Sequence, residues 1–220
     1  MNPSINTPKS LGIPQHKLER EKMLQELNDQ RLTLFVNEIR GNLPEDIQSK
    51  PDAHDLVPYF DPADGGVAAE WLFLLEAPGP NAVTSGFVSR DNPDETAKNW
   101  FELNNDARIL RTRTLMWNIV PWYLGENGKI RPARKADIDA GWEWLLKLLD
   151  LLRPYKRLCR VVLVGRKAQR ITTRLQEARP DLVVEQCLHP SPSFINRNPK
   201  ENRLRVLAEL KTAAGVLGDG

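Results

Sequence analysis

Four short apolar runs bracketed by polar or turn-forming residues mark the later two thirds of the chain: Trp71 to Ala77, Thr114 to Trp122, Arg160 to Val164 and Leu182 to Leu188. Their brevity and their β-branched and aromatic content predict strands. Between them the apolar positions switch to helical spacing. Ile138, Trp142, Leu145, Leu146, Leu149 and Leu152 make the strongest stripe. After Gly165 a shorter helix runs through Ala168 and Ile171 to Leu175. Asn92-Pro93-Asp94-Glu95 supplies an N-cap, a proline for the first helical position and a Glu at N3. Asn198-Pro199-Lys200-Glu201 repeats that grammar before a last helix whose Leu204, Leu207 and Leu210 can face a core. Strands alternating with helices predict an α/β fold, a parallel sheet between helical layers.

The first third reads differently. From about Gln15 to Ile39, apolar residues recur loosely at helical spacing among charges, which predicts an amphipathic N-terminal helix with room for one break. Residues 41–66 are rich in Pro, Asp and Gly and read as an ordered loop wrapping the domain. Residues 1–66 are therefore expected to join residues 67–220 in one domain. A chain of 220 residues is long enough for a full core. No apolar stretch approaches the ~18 residues of a membrane span, and the first 16 residues lack the apolar centre of a secretory signal. Two cysteines without CxxC spacing and three scattered histidines predict neither disulfides nor a metal site. A cytoplasmic, metal-free monomer is the expectation.

Charge changes this picture by its distribution. The net charge is only +2, yet residues 151–220 carry 14 Lys and Arg against 6 Asp and Glu. A basic carboxyl-terminal third suits a polyanionic partner, although a solvated basic face has the same composition.

The candidate chemistry stands at the ends of the predicted strands, where open α/β sheets build their crevices. The first strand ends in Glu76-Ala77-Pro78-Gly79-Pro80 and the fourth in His189-Pro190-Ser191-Pro192. A carboxylate at an apolar strand end needs a partner or a task. Prolines on either side of a histidine hold its backbone, which suits a group kept in place for charge stabilisation. Asn118 interrupts the second strand. A buried Asn must satisfy both faces of its amide, and it can accept from a ring N–H while donating to the adjoining carbonyl, whereas a ring of opposite polarity would leave those groups unpaired. Phe87 in the Ser85-Gly86-Phe87-Val88 segment reads either as a core anchor or as a base-stacking platform, the latter favoured by its closeness to the Glu76 turn. Beyond the histidine, Phe194 and Ile195 read either as an exposed pair that wedges into a base stack or as packing beneath the last helix, with Arg197 placed to meet phosphate.

The order strand-EAPG, strand-NIVPW, strand-VGRKA, strand-HPSP resembles the uracil-DNA glycosylase superfamily over roughly Trp71 to Leu217, and most of all the branch whose first motif reads GEAPG. The resemblance implies a three-layer α/β/α sandwich with a four-stranded parallel sheet, no cofactor for the chemistry, and hydrolysis of the N-glycosidic bond of uracil or a related deaminated base in DNA. It implies Glu76 and His189 as catalytic residues. Ala77, Pro78, Gly79, Phe87, Asn118 and Ser191 would contact the substrate. Pro190, Pro192, Ser193, Phe194 and Arg197 would lie toward the DNA. Leu75 replaces the first Gly of the branch motif, Ala77 stands where the best-known members carry a catalytic Asp, and two cysteines are too few for the branch's iron–sulfur cluster. The alternative is a DNA-binding module that keeps the fold without base excision.

Overall fold

A computed structural model describes residues 6–126 and 129–215. Two helices open the chain, α1 (Pro14–Gln25) and α2 (Arg31–Gly41), followed by a single turn, α3 (Glu45–Gln48), and the two-residue strand β1 (Tyr59–Phe60). Then come β2 (Trp71–Leu75), α4 (Pro80–Ser85), β3 (Phe87–Val88), α5 (Glu95–Asp106) and β4 (Thr114–Asn118). A small hairpin, β5 (Gly125–Glu126) with β6 (Lys129–Ile130), leads into the long helix α6 (Lys135–Leu152). The chain continues through β7 (Arg160–Val164), α7 (Thr172–Ala178), β8 (Val183–Cys187), α8 (Pro192–Ile195) and α9 (Pro199–Ala213).

The main sheet has the order β4-β2-β7-β8 and every pair in it is parallel. Its centre is apolar on both faces, as a covered parallel sheet requires: Leu72, Phe73 and Leu74 are fully buried. Register then places the chemistry. Leu75 lies opposite Asn118, Leu74 opposite Leu163, and Val164 opposite Cys187. Glu76, Asn118, Gly165 and His189 consequently leave the sheet along one edge, although they are far apart in sequence.

Several boundaries differ from the sequence pattern. The first and second strands stop at Leu75 and Asn118, short of Ala77 and Trp122. The Ile119 and Val120 N–H groups still donate across to the Leu75 and Glu76 carbonyls, at 2.8 and 3.0 Å, before the chain turns at Pro121. The N-terminal amphipathic segment is two helices. The Gln30 side chain fills the break, its Nε2 donating to the carbonyls of Leu24 and Leu27. Helix α5 starts three residues after Asn92, with Asp94 as the cap accepting from the Ala97 N–H at 2.9 Å. Asn92 is drawn instead to Ser85 and the Phe87 carbonyl.

Residues 32–57 share the single core rather than forming one of their own. Leu32, Phe35, Val36 and Ile39 of α2 and Leu43, Ile47 and Val57 beyond it pack in one cluster with the strands and α6. A second tie is electrostatic. Arg20 of α1, buried to 1% exposure, donates to Asp61 and, at 2.8 Å, to Asp91. Arg111 donates to Asp61, Asp64 and Asp91, at 2.6, 2.8 and 2.6 Å. Arg90 is buried beside them and donates to the Thr114 hydroxyl at 2.6 Å. Burial pushes these carboxylates up. At Asp61 the neighbouring Arg111 and Arg20 outweigh it and hold the group down to about 2. At Asp64 burial wins, and its carboxyl is raised to about 6.

Removing one partner from a buried ion-pair cluster leaves charge without compensation, a loss of about 3–5 kcal/mol. Arg20→Met should destabilise the protein by that order, read as a lower urea midpoint at unchanged slope. A shift below about 1 kcal/mol would mean that α1 is not held by this cluster.

Candidate active site

Two cavities meet at His189. The first, of about 400 Å³, lies at the carboxyl ends of β2, β4 and β8 and is lined by Leu75, Ala77, Pro78, Gly79, Asn118 and His189, with Val88, Trp100, Met116 and Ile130 completing its apolar walls. The second, of about 380 Å³, is lined by Glu76, Gly165, Arg166, Lys167, Arg170 and again His189. One pocket is largely apolar with a few convergent polar groups, as small heterocycles require. Its neighbour is cationic. A single imidazole stands in the wall of both.

Asn118 is one of the polar groups of the first pocket, with His189, Asp94, Asn92 and Ser89 also in its wall. The Asn118 side chain is 3% exposed and its Nδ2 has no hydrogen-bond partner. A buried, unsatisfied amide donor is uncommon and costs about 1–3 kcal/mol. Asn118 closes its strand as a lone buried polar residue, as the sequence pattern placed it.

His189 sits two residues beyond β8. The Asn99 side chain donates to the Pro190 carbonyl at 3.0 Å and ties the turn to α5. Burial lowers the imidazole pKa below its ordinary 6.5, against the raising influence of the Glu76 and Asp94 carboxylates. At neutral pH the ring is therefore uncharged, able to donate one N–H without carrying a proton to give up. The turn after β7 makes room for it. Gly165 has φ of +84°, and a Cβ there would come within 2.9 Å of the His189 Cβ.

Glu76 does not line the pocket that holds Asn118; it faces the cationic one. Its Oε1 accepts the Ala133 backbone N–H at 2.6 Å, a contact with no signature in the sequence. Lys167, on the far side of the same residue, donates to the Ala133 carbonyl at 3.0 Å.

Two expectations need correcting. Phe87 is 1% exposed and lines a separate groove beside α1 and α2, so it cannot stack on a ligand in the Asn118 pocket. Strand β3 pairs in parallel with β1, and alternation along it turns Phe87 away and Val88 toward the pocket. Phe194 and Ile195 are no exposed wedge either. Helix α8 turns Ile195 into the core and packs Phe194 against it, with the Arg205 guanidinium over its ring. Ile130, at 56%, is a large exposed apolar side chain at the pocket. Ser193 and Arg197 are exposed, Ser191 and Pro192 half-buried, and Pro190 buried.

A family model described as the uracil DNA glycosylase superfamily matches residues 62–211. The chain belongs to that superfamily. No curated protein matches the sequence. The match spans all four strands of the main sheet and both cavities, while α1 and α2 lie outside it. No helix among the described residues is long and apolar enough to cross a membrane. The described residues contain no cluster of His, Cys, Asp or Glu suited to a metal ion, and the thiols of Cys159 and Cys187 are free.

The close approach at Gly165 generates a test within this superfamily framework. Gly165→Ala should cost about 1–3 kcal/mol through overpacking and strain. It should also move the His189 imidazole resonances in NMR spectra. Unmoved resonances in a folded variant would show that the glycine does not set the ring's position.

Proposed function

We propose that this protein hydrolyses the N-glycosidic bond of uracil or a related deaminated base extruded from DNA. The observation that carries the reading is the junction at His189: an apolar pocket with an unpartnered amide donor on one side, a cationic cavity holding a carboxylate on the other. A flipped base fits the first and its sugar-phosphate the second, which brings the glycosidic bond between Glu76 and His189. Membership of the superfamily supports the same reaction class.

The chemistry follows from the groups present. As the C1′–N bond breaks, positive charge grows on the sugar and negative charge on the departing base. The neutral His189 N–H stabilises that base anion, acting as donors do in an oxyanion hole. Glu76, anionic and held at Oε1, balances the sugar and orients a water through its other oxygen. Water oxygen bonds to C1′, and the proton it releases passes to Glu76 while the base is protonated from solvent. Asn118 selects the base: Nδ2 donates to a ring carbonyl and Oδ1 accepts from the adjoining N–H, so an amino-bearing base leaves buried groups unpaired. Arg166 and Arg170, both exposed at the cationic cavity, attract the phosphates on either side of the flipped nucleotide.

Asn118→Asp should abolish discrimination for uracil, because a carboxylate only accepts. His189→Ala should leave binding of uracil-containing DNA near the wild-type level while slowing single-turnover excision about 10²–10³-fold, the loss of one such donor. Abasic-site formation across oligonucleotides carrying uracil, hypoxanthine or xanthine checks both. Binding without excision of any of these would favour the DNA-binding module. Because the His189 pKa lies below 6.5, the neutral donor persists as pH falls past that value, and the rate plateau should extend through it. An acid limb centred at or above 6.5 would contradict the assignment.

Affinity itself should fall steeply with salt, with slope proportional to the phosphates contacted. Arg166→Ala and Arg170→Ala should each reduce that slope by about one contact and weaken all sequences alike. A salt-independent Kd would remove DNA as the partner.

A further inference from the structure

Glu76 owes its orientation to a segment that carries no catalytic side chain. Residues 131–134 run as a strap between the hairpin and α6 and bond to two residues of the cationic cavity, Glu76 and Lys167. Ala133, at 2% exposure, is gripped from two sides: its N–H donates to Glu76 Oε1 at 2.6 Å and its carbonyl accepts from Lys167 Nζ at 3.0 Å. The strap's ends are tied to one carboxylate. Arg131 meets Asp137 in a fork, at 2.6 and 2.8 Å, and the Arg134 N–H donates to Asp137 at 2.7 Å as α6 begins. Asp137 does not line either cavity that meets at His189.

We infer that Lys167 is a positioning residue for Glu76, acting through Ala133 rather than on the substrate. The inference rests on the role given to Glu76 above. A glutamate side chain has three rotatable bonds, and the bond from the Val120 N–H to the Glu76 carbonyl holds its main chain without fixing its carboxylate. One backbone N–H selects a single orientation, provided that the peptide bearing it cannot swing. Lys167 and Asp137 supply that condition: the first holds the carbonyl side of Ala133, the second anchors both flanks. Released, Oε1 loses its donor, and the free oxygen departs from the line between water and C1′. Displacement of a reacting group by about 1 Å costs on the order of 10² in rate.

This assignment differs from the obvious alternative for a lysine in a cationic cavity, a direct phosphate contact. A phosphate contact acts on affinity and independently of Glu76. A positioning contact acts on the rate and only while Glu76 is present.

The test compares Lys167→Met, Lys167→Arg and Asp137→Ala in the full chain, in wild-type and Glu76→Ala backgrounds, using a uracil-containing duplex. In the wild-type background, Lys167→Met and Asp137→Ala should each slow single-turnover excision about 10–100-fold, with Kd changed less than about threefold. Lys167→Arg, which keeps a charged donor, should recover most of the rate. With Glu76→Ala, neither substitution should slow the reaction further. A second readout is independent of turnover: hydrogen exchange at the Ala133 amide should speed up at least tenfold in Lys167→Met. A Lys167→Met effect confined to Kd, one that multiplies with Glu76→Ala, or unchanged Ala133 exchange would overturn the inference. If Glu76→Ala by itself leaves excision intact, the catalytic role of Glu76 falls and this inference falls with it. If Glu76→Ala is slow but Lys167→Met is normal, only the inference fails.

Discussion

Arg111 is the point on which the architecture turns. It stands just before β4 and donates to three aspartates, two from the loop after β1 and one from the loop after β3, while Arg20 of α1 shares two of them. Desolvating such charges costs several kcal/mol per ion, so the cluster is tolerable only when every partner arrives together. That condition couples distant parts of the chain. The loop that brings Asp91 also brings Ser89 and Asn92 to the wall of the Asn118 pocket. The shape of that wall therefore depends on a helix that does not touch it.

The sheet imposes the complementary constraint. Parallel pairing in this register aligns four strand ends, and the residues that follow them are presented together. Between neighbouring turns there is little slack. The β7 turn takes a left-handed glycine because the His189 ring occupies the space a side chain would need. The β2 turn holds its carboxylate by a borrowed backbone donor. The turns at this edge are thus held by main-chain groups and by side chains from neighbouring elements, Asn99 and Lys167 among them.

How much of this was legible follows from how each feature is encoded. The four strands and the polar residues that follow or close them were readable, because burial on both faces demands unbroken apolar runs and Asn118 and His189 stand out against them, whereas the order of the strands across the sheet was not. Phe87 was misread because a two-residue strand offers no periodicity to fix its phase, and Val88 had an equal claim to the pocket. Phe194 and Ile195 were ambiguous until α8 set which way they turned. The Ala133 strap was invisible because backbone donors leave no trace in residue identity. Arg20, Asp61, Asp91 and Arg111 carry no local pattern, because each pairs across 20 or more positions of sequence.

The family match begins at residue 62, one position after Asp61 and well beyond Arg20 and α2. A fragment cut at that boundary would lose Asp61, the carboxylate held lowest in the cluster, and would leave Arg111 with a depleted set of counter-charges. It would also strip Phe35, Val36 and Ile39 from the common core and uncover Trp117 and Trp144, whose rings meet Phe35. The matched segment and the packed core are therefore not the same length. In this protein the recognisable glycosylase fold is completed by a segment that carries none of its motifs, α2 through the common core and α1 through the buried ion pairs of Arg20.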